Sequence, residues 1–198
     1  MKKLLIGTFL LVTFALLSGC GSRNITRVNS NETIDLSGRW NDSDSRLVSE
    51  AMVADLLTAS WPAKYTKDTG KRPVIVVGLI ENKSHEHINS ETFIKDIEKA
   101  IIRDGNIRLV VAGEKRNELR KERAEQQDYS APETIKKWGR ELGADFILQG
   151  TINSIVDSYK KQKVVMYQID LQLTNIETNE VVWMGDKKIK KQIKDRVL

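Results

Sequence analysis

From Val165 to Leu173 every second residue is apolar. Val165, Tyr167, Ile169, Leu171 and Leu173 alternate with Met166, Gln168, Asp170 and Gln172. A period of two places one set on each side of a pleated strand, whereas an α-helix would scatter both sets around its circumference. The segment is therefore a strand with one dry and one wet face, the arrangement typical of an antiparallel sheet packed on one side only. Its neighbours fit that reading. Asp145 to Ile155 is a second strand-like run, Lys160 to Lys163 a turn, and Glu177-Thr178-Asn179-Glu180 a turn leading into Val181-Val182-Trp183-Met184. The C-terminal third is predicted to be a three-stranded meander.

Val74 to Ile80 differs, being a continuous β-branched run without polar alternation. Such runs suit an interior strand covered on both faces. Ile107 to Ala112 is a further short strand. Between these lie helical patterns. Leu47, Val48, Ala51, Met52, Leu56 and Leu57 share one face of a helix opening near Asp42, which Trp61-Pro62 is predicted to end, since a residue before proline is biased away from the helical region. Ser90 is predicted to cap a second helix with the stripe Phe93, Ile94, Ile97, Ala100 and Ile101, closed by Gly105. Glu114 to Gln127 reads as a solvated, highly charged helix. Ser130-Ala131-Pro132-Glu133 has the form of a capping box for a last helix bearing Ile135, Trp138 and Leu142 and closed by Gly143. The expected fold class is α/β, a single-domain sandwich of a mixed β-sheet with helices packed on it.

The first residues do not belong to that fold. Met1-Lys2-Lys3 precedes the apolar run Leu4 to Leu17, too short to span ~30 Å of hydrocarbon and suited to an export signal. It ends in Leu17-Ser18-Gly19-Cys20, the pattern of a bacterial lipoprotein cleavage and acylation site, with the sole cysteine of the chain where the acyl group is taken up. Only a thiolate is nucleophilic enough for that transfer. The expected organisation is a signal peptide (1–19), a lipid-anchored flexible tether (20–40), a globular domain (41–186) and a basic C-terminal tail (187–198). Acylated Cys20 would hold the chain in the outer membrane, facing the periplasm.

The net charge of +5 over 198 residues looks like a nucleic-acid signature until it is located. The export signal carries two lysines and the last thirteen residues a net +4, so the fold itself is close to neutral and no nucleic-acid partner is expected. The tail lacks the interleaved aromatic residues of a single-strand binder. It reads as an end strand kept soluble by lysines, or alternatively as a segment attracted to anionic lipid or wall polymers.

No phosphate-binding glycine loop and no GxSxG nucleophile elbow is present, so neither a cofactor nor an enzymatic reaction is expected. Ser84-His85-Glu86-His87, after the most apolar strand, is the one segment with metal-ligand chemistry, but a third ligand at recognisable spacing is missing and no metal site is expected. Loops at strand ends are where rigid sheets carry recognition groups. Asn82, Ser84, His85 and His87 are therefore expected partner-binding residues, and Arg39 and Trp40 are expected to join them.

Several segments carry a resemblance. Asp35-Leu36-Ser37-Gly38-Arg39-Trp40-Asn41-Asp42, Glu81 to Asn89 followed by Glu91-Thr92-Phe93, Gly143 to Gly150, and Asn175 to Glu180 with Trp183 are similar to LpoB-type lipoproteins, activators of penicillin-binding proteins. The resemblance implies a fold like the N-terminal domain of TolB. It also implies a non-enzymatic outer-membrane lipoprotein that binds and stimulates a class A penicillin-binding protein in peptidoglycan synthesis. The alternative is an envelope assembly or scaffold lipoprotein with a different protein partner. The enterobacterial pattern includes a long proline-rich tether, whereas about twenty residues here reach only ~25 Å as a coil.

Overall fold

A computed structural model describes residues 25–30, 32–134 and 141–194. The chain divides into a short N-terminal unit ending at Glu32 and a second unit, residues 33–198. Within the first, Glu32 N–H donates to the Asn29 carbonyl at 3.0 Å. Cys20 and the export signal lie outside the described residues, as do Ile135 and Trp138 of the expected last helix.

The second unit is a mixed α/β domain, as the alternation and the β-branched run require. Its described elements run α1 (Asp42–Thr58), α2 (Trp61–Thr69), β1 (Val74–Asn82), α3 (Ser90–Asp104), β2 (Arg108–Val110), α4 (Gly113–Tyr129), β3 (Phe146–Tyr159), β4 (Gln162–Asn175) and β5 (Val181–Lys194). The sheet order is β2-β1-β3-β4-β5. β1 pairs in parallel with β2 and β3, while β3, β4 and β5 form the expected antiparallel meander. Among the described residues, no helix is long and apolar enough to cross a membrane.

One face of the sheet carries the core. Val165, Tyr167, Ile169, Leu171 and Leu173 of β4 are all buried, as their period of two dictates. They meet Val48, Met52, Val53 and Leu56 of α1 and Phe93, Ile97 and Ile101 of α3, with Ile75, Val77 and Ile80 of β1 alongside. Leu47, read as part of the α1 stripe, is exposed, and Val53 takes its place. Both positions satisfy a helical period; only the position of the sheet decides between them.

Helix boundaries follow local chemistry. α1 starts with a reciprocal capping box: Asn41 Oδ1 accepts Asp44 N–H and Asp44 Oδ2 accepts Asn41 N–H, both at 3.0 Å. Trp61-Pro62 does not terminate α1 directly but opens α2, with proline in the first turn where its missing N–H costs nothing. The Trp61 indole donates to the Leu56 carbonyl at 2.9 Å, satisfying an orphan acceptor at the end of α1. Asn89 rather than Ser90 caps α3, and Gly105 closes it in the left-handed region. Ser130 is the C-terminal cap of α4, and Ala131 to Thr134 form a turn; residues 135–140 of the expected last helix lie outside the described residues.

Two boundaries move outward. The folded unit takes in residues 33–40, expected to be tether, and β5 runs on through Lys187–Lys194, expected to be tail. Hydrogen bonding along β4 carries that strand to Lys194, because an antiparallel ladder does not depend on side-chain polarity.

Glycine is required at Gly150 of β3, which packs closely against β4. An added Cβ would fall on the Asp170 carbonyl oxygen and within 2.5 Å of Leu171 Cδ2. Gly150→Ala is expected to lower the unfolding free energy by about 2 kcal/mol, the usual scale of overpacking a closed core. Gly143→Ala, with open space around it, serves as control. Equal urea midpoints for the two variants would contradict the close approach.

Candidate functional site

β1 ends at Asn82, and the loop that follows is built by its own short polar side chains. Asn82 Oδ1 accepts the Ser84 N–H at 3.0 Å and lies 2.7 Å from Ser84 Oγ, while Asn82 Nδ2 donates to the Glu86 carbonyl at 2.8 Å. Ser84 Oγ in turn accepts the Glu86 N–H at 3.2 Å. This is the Asx-type local bonding that makes Asn and Ser good turn residues. Asn82 and Ser84 thus spend their polar atoms inside the loop and set its shape.

What the loop presents is His85, Glu86 and His87. Glu86 points inward. Its Oε1 accepts the Tyr167 hydroxyl at 2.8 Å and its Oε2 accepts the Trp40 N–H at 3.0 Å, while His85 Nε2 lies 3.3 Å from Oε1. His85 is oriented from the sheet: Ser154 Oγ of β3 accepts the His85 N–H at 3.0 Å and lies 2.7 Å from His85 Nδ1. The imidazole also stacks on the Tyr167 ring at 6.3 Å between centroids. Trp40 meets the same ring edge-on at 5.4 Å. Burial, and then the Glu86 carboxylate beside it, hold the Tyr167 phenol above its ordinary pKa, so it remains a donor.

Residues 33–40 are fastened along the same end of the domain. Lys191 of β5 reaches Asp44 Oδ2 at 2.6 Å, Asp35 Oδ1 at 2.7 Å and the Arg39 carbonyl at 3.0 Å. Burial alone would draw the Lys191 ammonium down, but hydrogen bonds to Asp35 and Asp44 outweigh it and raise its pKa. The bond from Lys191 keeps Asp35 below the usual carboxylate range. Gly38 has φ +68° and lies against Ile193, where a Cβ would come within 2.6 Å of Cδ1, so a side chain there would be both strained and obstructed.

The result is a surface pocket of about 340 Å³ lined by Arg39, Trp40, His85, Glu86, His87 and Lys163. Of the six residues expected from sequence, four line it directly, and Asn82 and Ser84 hold its loop. Glu86, Tyr167, Ser154, Lys163 and Lys191 were not expected. Tyr167 was visible as the one residue with a hydroxyl in an otherwise apolar phase of β4; the others are brought in by pairing across distant strands. Chemically the pocket offers cations and imidazoles at its rim above a carboxylate already satisfied by its donors, a surface for recognition of polar or acidic groups. Among the described residues no group of three His, Cys, Asp or Glu side chains could hold a metal ion.

A family model described as peptidoglycan-synthase activator LpoB matches residues 44–189. No curated protein matches the chain in sequence. Among solved structures, the LpoB C-terminal domain from Salmonella enterica is 17% identical, with a TM-score of 0.44, covering 74% of this chain and 98% of its own. The corresponding Escherichia coli domain is 17% identical with a TM-score of 0.43, covering 77% and 99%. A lipoprotein from Neisseria meningitidis is 16% identical with a TM-score of 0.38, covering 61% and 83%.

Proposed function

Because this chain belongs to the LpoB family of peptidoglycan-synthase activators, we propose that it is a lipid-anchored, periplasm-facing protein of the outer membrane that binds and stimulates a class A penicillin-binding protein. The family match over residues 44–189 carries this reading. Cys20 would be the acylation site, and Arg39, Trp40, His85 and His87 would make the contact, with Asn82 and Ser84 setting their geometry. In support, these groups are displayed on a loop and a segment each tied down by several hydrogen bonds, so docking would cost little ordering entropy.

The test is glycan-strand polymerisation by the class A synthase of the same organism, with and without the protein. Added protein is expected to raise the rate. Arg39→Glu with His87→Glu, both exposed positions, is expected to weaken binding about thirtyfold, the effect of one interface hot spot, with thermal stability unchanged. A synthase whose rate and retention on the immobilised protein are indifferent to its presence would overturn the proposal.

A further inference from the structure

β3 outruns its neighbour. Its pairing with β1 ends at Ile152, yet it continues to Tyr159 paired only with β4, and β4 with β5. The far end of the sheet is thus a three-stranded ribbon. On the face opposite the core, cross-strand register fixes what this ribbon displays. Ile155 lies beside Met166 and Met166 beside Lys190; Tyr159 lies beside Gln162 and Gln162 beside Lys194; Lys188 follows along β5. Ile155 and Tyr159 are 63% and 72% exposed, and at the tip Lys160 Nζ sits 5.2 Å from the Tyr159 ring centre, next to exposed Lys161.

Lysines on β5 alone could be explained as protection of an edge strand. That explanation does not cover exposed Ile155 and Tyr159, since edge protection removes apolar groups from such places. Nor does it cover Lys160 and Lys161, which sit in the turn. An aromatic and aliphatic patch bordered by long basic side chains is the composition of a surface that rests at a lipid interface. The rings enter the headgroup layer and the ammonium groups stay at the phosphates. Four lysines (160, 161, 190 and 194) face one carboxylate, Asp157, among the described residues at this end of the ribbon's open face, while Lys188, further along, is paired with Asp186 at 3.6 Å.

The path of the chain is the second observation. Asp35 is bonded to Lys191 and Gly38 is packed on Ile193, so the segment leading back toward Cys20 joins the domain at the same end of β5. We propose that this ribbon end is a docking surface for an anionic phospholipid bilayer, orienting the domain on the membrane to which its N-terminus leads. Of the functional reading above, the proposal shares only the membrane-attached N-terminus; it requires neither the acyl group nor the synthase.

The experiment uses the full chain carrying Cys20→Ser, so that an introduced cysteine is its one thiol. A polarity-sensitive dye is placed either at Tyr159→Cys or, as control, at Glu177→Cys in the β4–β5 turn. The protein is mixed with vesicles containing phosphatidylglycerol or only phosphatidylcholine. The expected result is a blue shift, and quenching by lipid-borne quencher, at position 159 only, with phosphatidylglycerol only, abolished in 1 M salt. Lys160→Gln, Lys161→Gln and Lys190→Gln together are expected to weaken this response about a hundredfold. Equal signals at 159 and 177, or no dependence on anionic lipid, would overturn the proposal. A response to soluble anionic wall polymer in place of vesicles would also overturn it, assigning the lysines to the wall.

Discussion

Lys191→Met lowers the unfolding free energy by about 3 kcal/mol, while Lys190→Met, one residue earlier on the same strand, changes it by less than ~0.5 kcal/mol. The two lysines are indistinguishable by type and neighbourhood in the sequence. In the fold, Lys190 is exposed, whereas the Lys191 side chain is 10% exposed and bonds the Asp44 carboxylate, itself 7% exposed. Removing the cation leaves a buried carboxylate without its counter-charge, which is why breaking such a pair costs far more than the pair contributes over a well-packed apolar substitute. Asp44 is also half of the α1 capping box, so the damage spreads to the start of that helix. The pH dependence has a definite sign. With the Lys191 pKa raised, the folded state holds more protons than the unfolded state once the pH passes about 10.4, the ordinary lysine value. The stabilisation is complete below that pH and is lost as pH rises through the folded-state value. The raised Tyr167 pKa acts in the same direction. Urea titrations followed by tryptophan fluorescence at neutral and alkaline pH should show Lys191→Met destabilised at neutrality and less sensitive to alkali than the parent. Matching midpoints for Lys190→Met and Lys191→Met would refute the buried clasp.

Glu86→Ala is expected to cost about 3 kcal/mol, because the Tyr167 hydroxyl and the Trp40 N–H both lose their acceptor in a place where water does not readily replace it. Tyr167 is fully buried. Tyr167→Phe introduced together with Glu86→Ala removes one of the stranded donors, so the double variant should be more stable than the sum of the single effects by about 1 kcal/mol. A strictly additive cycle would mean that Glu86 and Tyr167 do not act as a unit. In the polymerisation assay, Glu86→Ala should also reduce synthase stimulation at a temperature where it remains folded. Trp40 and His85, both held by that carboxylate, would lose their fixed positions. Glu86→Gln, which keeps an acceptor oxygen, is expected to lie between the parent and the alanine variant.

Much of the scaffold was legible because it depends on short-range periodicity. The alternation in β4, the continuous run in β1 and the stripe of α3 each encode which side faces apolar surroundings, and Gly105 marks a left-handed residue that closes a helix. The errors lie where two local rules compete. Trp61-Pro62 can end one helix or begin another, and Asn89 and Ser90 can each cap the helix that follows. Leu47 and Val53 both fit the helical period of α1, and nothing within the helix says which one the sheet will cover. The pocket was legible in part: Arg39, Trp40, His85 and His87 are all among the residues expected from sequence. Glu86 is not among the expected partner-binding residues, because its partners, Tyr167 and Trp40, are 81 and 46 residues away.

The sequence by itself determined the class of the fold and the family, since side-chain periodicity and local motifs are properties of neighbouring residues. Only the tertiary structure decided where the domain begins and what its lysines do. Residues 33–40 have no apolar period, and they are ordered by single long-range contacts: an ammonium between two carboxylates, a backbone N–H on a distant glutamate, a glycine against an isoleucine. Two of those contacts reach β5, whose place is set by pairing with β4. Once paired, the same register that buries Lys191 on the core side turns Lys188, Lys190 and Lys194 outward on the other.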